Sequence, residues 1–165
     1  MVKPHRQTCP VAAMLNLFGD HWTWLIVREA FYGATRFSEF RRQTGIARNL
    51  LAERLALLVD EALLEKHNIS DTGTRYAYRL TARGRTLLPV FITMTQWGNE
   101  HIFGADRQPV EIIERATGKP IAPVGPTADN GRPLDLDDLA VTPGPGASRA
   151  TRRRLADAAM APHDS

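Results

Sequence analysis

Apolar positions along the first sixty residues recur every three or four places, the period of helices that bury one face. Cys9-Pro10 opens a segment with Val11, Met14, Leu15 and Phe18 at that spacing. Proline suits a first helical turn, where its missing N–H is no loss, and Gly19 ends the segment. Asp20 can cap a second helix, His21 to Phe31, carrying Trp22, Leu25, Ile26, Glu29 and Ala30 along a mainly apolar stripe, with Gly33 ending it. Thr35 can cap a short third helix over 36–43, with Phe37 and Phe40 inward and Gly45 closing it. A longer helix over about 47–61 follows, with Ile46, Leu50, Leu51, Leu55, Leu58, Val59 and Ala62 on its apolar side. Arg48, Asn49, Ala52, Glu53, Ala56 and Asp60 fall on the other side. Two helices joined by only Thr44-Gly45-Ile46 form a helix-turn-helix.

After Leu63-Leu64 the period changes. Glu65-Lys66-His67 and Arg75-Tyr76-Ala77-Tyr78-Arg79-Leu80 flank Ser70-Asp71-Thr72-Gly73-Thr74, which is turn chemistry. The second arm alternates, with Tyr76, Tyr78 and Leu80 on one face, so this is a β-hairpin directly behind a helix-turn-helix. Thr81 can cap a last long helix over 82–102, in which Pro89 predicts a kink or a late start. Its band of Leu87, Leu88, Val90, Phe91, Ile92, Met94, Trp97 and Ile102 is wider than a three-helix core can cover. The fold class is therefore mainly α with a β-hairpin wing, a winged helix-turn-helix.

Punctuation divides the chain further. Seven of the eleven prolines fall in 105–148. This predicts an N-terminal arm over 1–8, a winged-helix and dimerisation domain over 9–104, a Pro/Gly-rich appendage over 105–148 and a basic, mobile tail over 149–165. Asn130-Gly131 between Pro126 and Leu134 is a hairpin signal.

Composition narrows the class. With 165 residues, 43% hydrophobic and 24% charged, the chain can build a core and is not collagen-like, mucin-like or wholly disordered. No run of 18 apolar residues suggests a membrane-spanning helix, and residues 1–6 do not lead into a signal-like apolar stretch. A cytoplasmic protein without a membrane partner is expected. The net charge of +3 is uneven: residues 1–104 hold 13 Lys/Arg against 9 Asp/Glu, and 105–148 hold 4 against 7. The basic part is the patterned part, which hints at nucleic acid. One cysteine, Cys9, excludes an internal disulfide. His21, His67 and His101 lack metal-ligand spacing. No P-loop, dinucleotide fingerprint or Ser/His/Asp order is visible, so no metal, cofactor or enzymatic activity is expected.

An ordered set of residues spread over 9–101 carries a resemblance: Cys9-Pro10, Gly19-Asp20-His21-Trp22-Thr23, Leu25-Ile26, Arg28-Glu29, Gly33 to Phe40, Gly45-Ile46, Leu50 to Leu55, Arg75 to Thr81 with Gly84, and Trp97-Gly98. This resembles the HxlR-type winged-helix transcription regulators, relatives of the MarR group. The resemblance implies a cytoplasmic homodimer, held by its first and last helices, on a near-palindromic double-stranded operator, with repression the expected mode. Two features depart from it. Ala47 stands where the family commonly has Ser or Thr at the recognition-helix N-cap. Residues 105–148 lack the cysteines of the small ribbon that longer relatives carry there.

Candidate sites follow. Arg48 and Asn49, in the first turn of the recognition helix, can read guanine O6/N7 and adenine N6/N7, or can be a solvated helix start. Glu53 can accept from cytosine N4 or pair with an arginine. Arg54 is either a phosphate contact or an intrachain ion pair. Arg36 and Arg41 suit phosphates beside the third helix, where Arg42 is equally a solvated charge. Arg75 leaves the wing tip for a minor groove or a phosphate; His67, Asn68 and Thr74 are weaker candidates. Cys9 is either a packed residue or a sensor thiol, activated by the helix N-terminus with His5 and Arg6 nearby; several relatives sense oxidants or electrophiles this way. Met14, Phe18, Trp22, Met94 and Trp97 are core or dimer interface, or line a pocket for a small aromatic or electrophilic effector. The Arg152-Arg153-Arg154 run is a frayed helix, a phosphate contact or simply solvated. Two other functions stay open: a thiol enzyme using Cys9, and a protein-binding winged helix without DNA affinity.

Overall fold

The computed structural model describes residues 9–104 and 106–159. In chain order it contains α1 (Pro10–Phe18), α2 (His21–Phe31), α3 (Phe37–Thr44), α4 (Arg48–Asp60), β1 (Leu64–Asn68), β2 (Tyr76–Leu80), α5 (Ala82–Arg85), α6 (Leu88–Gly98), a π-helical turn (Asn99–Phe103), a 3₁₀ turn (Leu136–Asp138) and α7 (Arg149–Ala159). Two compact units result: Asp20–Gly125, and Met1–Gly19 with Pro126–Ser165. These bounds do not coincide with the 9–104 domain expected from punctuation. The first helix groups with the C-terminal segment, and 106–125 groups with the winged helix.

In the first of these units α2 packs on α3 and α4, and the hairpin β1–β2 closes against all three helices. Ile26, Val27, Phe40, Ile46, Leu51, Leu55, Leu58 and Leu64 are essentially without solvent contact. Ile26, Phe40, Ile46, Leu51, Leu55 and Leu58 are apolar positions of the helical pattern, Val27 and Leu64 join them from α2 and β1, and their burial drives the unit together. Phe40 meets Tyr78 edge-on at 6.3 Å, joining the third helix to the wing. The strands are antiparallel, with Leu64 opposite Leu80 and Asn68 opposite Tyr76. Both Ala77 and Tyr78 are buried while Tyr76 is exposed. The strict alternation expected of this arm therefore fails: Ala77 faces Arg36 across an isolated bridge, and the Tyr78 N–H donates to the Thr35 carbonyl. Ala62 is also not apolar packing. It is exposed, with φ of 54°, and turns the chain from α4 into β1.

The last long helix is not continuous. Thr81 caps α5, its hydroxyl accepting from Gly84 N–H at 2.9 Å. The helix then breaks at Thr86-Leu87 and restarts with Pro89 in the first turn of α6, where proline leaves no hydrogen bond unmade. It loosens into the π turn at Asn99. Segment 106–125 is held to α6 by amide side chains: Gln96 donates to Ala122 O (3.0 Å) and accepts from Val124 N–H (2.8 Å), and Asn99 donates to Val110 O (2.8 Å). Thr117-Gly118 closes a tight turn under an Ile113–Pro120 bridge.

In the other unit, Ala12 and Phe18 of α1 are buried. Asn130-Gly131 makes its turn, Gly131 at φ 82°, with Leu134 N–H donating to Pro126 O at 3.0 Å. Residues 149–159 are helical. Ser148 Oγ accepts from Thr151 N–H at 3.1 Å, an N-cap that composition alone did not reveal, ahead of a run of good helix formers.

Candidate nucleic-acid interface

The turn between α3 and α4 is built by local chemistry. The Glu39 carboxylate accepts from the Thr35 and Arg36 N–H groups, both at 2.9 Å. Those two amides hold its carboxyl below the usual range and fix the start of α3, where Arg36 rather than Thr35 is the N-cap. Gly45 ends α3 at φ 73°, a left-handed position that favours glycine. Ile46 then buries its side chain, and Ala47 begins α4 without a side-chain cap, as its methyl group requires.

This geometry presents one face of α4. Arg48, Asn49, Ala52, Glu53 and Ala56 are all exposed, while Leu51, Leu55 and Leu58 behind them are fully buried. Beside the turn lies an open cleft of about 590 Å³ lined by Phe37, Ser38, Arg41, Arg42 and the 45–48 segment. The Arg48 guanidinium lies 6.0 Å from the Phe37 ring centroid, so the half-buried aromatic ring steers it. Arg41 and Arg42 are exposed on the other wall. Ser38 is the residue that sequence reasoning passed over; its place on the outward side of so short a helix was the available signal.

The other sequence candidates scatter around this centre. Arg36 is exposed where α3 meets β2, and Arg75 is exposed at the base of the wing turn. Asn68 is spent on shaping that turn, accepting from Ser70 N–H at 3.1 Å and donating to Gly73 O at 3.3 Å. His67 stands 3.1 Å from Glu65. Lys66, not singled out from sequence, lies 3.8 Å over the Tyr76 ring on the wing surface. Glu53 is exposed, 3.9 Å from Arg54. Arg54 itself donates from Nε to Asp20 Oδ2 at 3.0 Å, the ion-pair alternative of its two readings.

Met94 and Trp97 share an open apolar groove of about 660 Å³ with Pro89, Val90, Thr93 and Ile102. Trp22 does not line it, and Met14 and Phe18 belong to the other compact unit. Cys9 is half-buried at the N-cap of α1. The N–H groups of Ala12 and Val11, with the Arg154 guanidinium adding to them, favour the thiolate and lower the thiol's pKa against a desolvation penalty. His5 and Arg6 lie outside the described residues. Among the described residues no cluster of His, Cys, Asp or Glu is arranged to hold a metal, and no helix is long and apolar enough to cross a membrane.

A three-helix core, a two-strand wing and an outward polar face on the second helix of a helix-turn-helix define a winged-helix DNA-binding protein. The family model of HxlR-like helix-turn-helix proteins matches residues 17–105, and the chain belongs to that family. It is 34% identical, over 82% of its length and 86% of the relative's, to an uncharacterised helix-turn-helix-type transcriptional regulator of Mycobacterium tuberculosis. The crystal structure of PA1607, described as a candidate transcription factor, superposes with a TM-score of 0.76 at 39% identity, covering 83% of this chain and 96% of that one. The reduced form of the redox regulator HypR superposes with a TM-score of 0.52 at 29% identity, covering 57% and 96%. The chain is thus a helix-turn-helix transcriptional regulator. Its family and relatives are regulators rather than enzymes, which removes the thiol-enzyme reading.

Proposed function

We propose that this regulator is a cytoplasmic homodimer that represses by binding a near-palindromic operator. The observation that carries the reading is the exposed face of α4 beside the cleft lined by Arg41, Arg42 and Arg48. Arg48 and Asn49 read base edges from the first turn of α4, Glu53 accepts from a cytosine amine one turn on, and Arg36, Arg41 and Arg75 meet phosphates on either side. Two such helices, related by two-fold symmetry, enter successive major grooves.

Dimerisation is supported by the apolar groove of α6. Val90, Met94, Trp97 and Ile102 are between 41% and 67% exposed in a single chain. A contiguous surface of that kind marks an interaction site, and a second copy covers it. The same groove is the seat of a small aromatic or electrophilic effector where one enters the dimer. Cys9 is the further control point. Its thiolate-favouring surroundings, and the likeness to a redox regulator, support modification of Cys9 as the signal that releases DNA.

The test is binding of the purified chain to duplexes from the region upstream of its own gene, over a salt series, with and without thiol reductant. Tight, salt-sensitive binding that Arg48→Ala weakens by roughly tenfold or more is expected, since one bidentate base contact contributes ~1–3 kcal/mol. Binding insensitive to both salt and Arg48→Ala would overturn the reading in favour of a protein partner.

A further inference from the structure

The recognition helix carries a second arginine in quite different surroundings. Arg54 lies six residues beyond Arg48, about 120° round the helix at ~100° per residue. Its Nε donates to Asp20 Oδ2 at 3.0 Å, with the two side chains 27% and 31% exposed. The same carboxylate caps α2: Oδ1 accepts from Thr23 N–H at 3.1 Å, and Oδ2 accepts from the Thr23 hydroxyl at 2.7 Å. Thr23 is fully buried, so the anion is anchored on a rigid helix start. Glu53 is the other carboxylate near Arg54, but it is 3.9 Å away and mostly exposed, which makes it a weak competitor. One side chain therefore both begins α2 and grips α4.

We propose, resting on the operator-binding reading, that Asp20 is a positioning residue for DNA recognition: through Arg54 it fixes the rotation of α4 about its own axis, and so where Arg48 and Asn49 meet the bases, while Arg54 itself does not contact phosphate. A charge-assisted hydrogen bond between two helices adds a directional restraint on their relative roll to that of the apolar packing behind it. In the operator-binding reading the phosphate contacts fall to Arg36, Arg41 and Arg75, which lie outside α4 and are not carried by its roll. Loss of the pair should therefore damage discrimination between sequences and spare sequence-independent binding.

The experiment uses the full chain and a duplex that the wild type selects from a random pool, with unrelated duplex as competitor, over a salt series. Wild type is compared with Asp20→Asn, Arg54→Gln and the double variant. Asparagine keeps an oxygen for the Thr23 N–H but puts an NH2 donor where Oδ2 accepts from Arg54 and from the Thr23 hydroxyl, so it breaks the pair; Asp20→Ser, which also caps without charge, repeats the test if Asp20→Asn loses its fold. Each single variant should lower the ratio of specific to unspecific affinity by roughly tenfold, the size of one charge-assisted hydrogen bond. The double variant should fall no further, and the salt slope on unrelated DNA should not change. If Arg54→Gln instead shallows that slope by about one, Arg54 is a phosphate contact and the proposal is wrong. If thermal stability drops and the ratio does not, the pair is a structural brace only, which also overturns it. If the wild type enriches no sequence, the operator reading itself fails, and this inference falls with it.

Discussion

Gly84 offers a severe test of the packing at the wing base. A Cβ built on it would lie 2.1 Å from the Leu63 carbonyl oxygen and 3.1 Å from both Leu63 C and Leu80 Cδ2. Relief of the first contact requires the α4–β1 connection to retreat by nearly an ångström. That carbonyl is not free to do so, because it accepts from Thr81 N–H at 3.1 Å while the Thr81 hydroxyl donates to Ala62 O at 2.6 Å. Overpacking of this kind costs ~1–3 kcal/mol, and a strained backbone hydrogen bond adds ~1 kcal/mol. Alanine's better helix propensity returns ~0.5–1 kcal/mol. The net loss for Gly84→Ala is then about 2 kcal/mol, or a melting point lower by roughly 10 °C for a unit of this size. Urea unfolding followed by far-UV circular dichroism measures it. Gly98→Ala, compared at concentrations where the chain is monomeric because Gly98 also lines the α6 groove, is the internal control: Gly98 has helical dihedrals of −64° and −40° and open space around its Cβ direction within the chain. It should be neutral or stabilise by ~0.5–1 kcal/mol. Equal stability of Gly84→Ala and wild type, within about 0.5 kcal/mol, would mean that the strand connection yields freely and that the close approach is not a constraint.

Two further outcomes follow from the sites. The Cys9 thiolate is favoured by the Ala12 and Val11 amides and by Arg154, so its charged form should persist to lower pH than in a free thiol; the alkylation rate plotted against pH should rise with a midpoint below that of a model thiol, and Arg154→Ala should move the midpoint upward. Trp97→Glu places a charge in the exposed apolar groove of α6, and should turn the proposed dimer into a monomer by sedimentation and weaken operator binding, whereas a dimer of unchanged affinity would show that this face is not the subunit contact.

Much of this protein was legible in its sequence because the information is local. The helical period of Ile46, Leu51, Leu55 and Leu58 and the short Thr44-Gly45-Ile46 turn specify the helix-turn-helix without reference to the rest of the chain. They also say which side chains of α4 point outward, since a helix that buries one face must expose the other. Gly45 was identifiable because a left-handed helix end favours glycine, and the break before α6 because proline has no N–H to give. What the tertiary structure alone decided are the long-range pairings. In sequence Arg54 suits a phosphate or an ion pair alike; in the fold Asp20, 34 residues away, stands beside it. Tyr76 and Ala77 exchanged burial because the Thr35-Arg36 segment ahead of α3 pairs with β2 beside the hairpin's own ladder. The arginine beside Cys9 comes from the far end of the chain. Periodicity records which residues are buried; it carries no record of the partner that buries them, and partners are where charge, pKa and positioning are set.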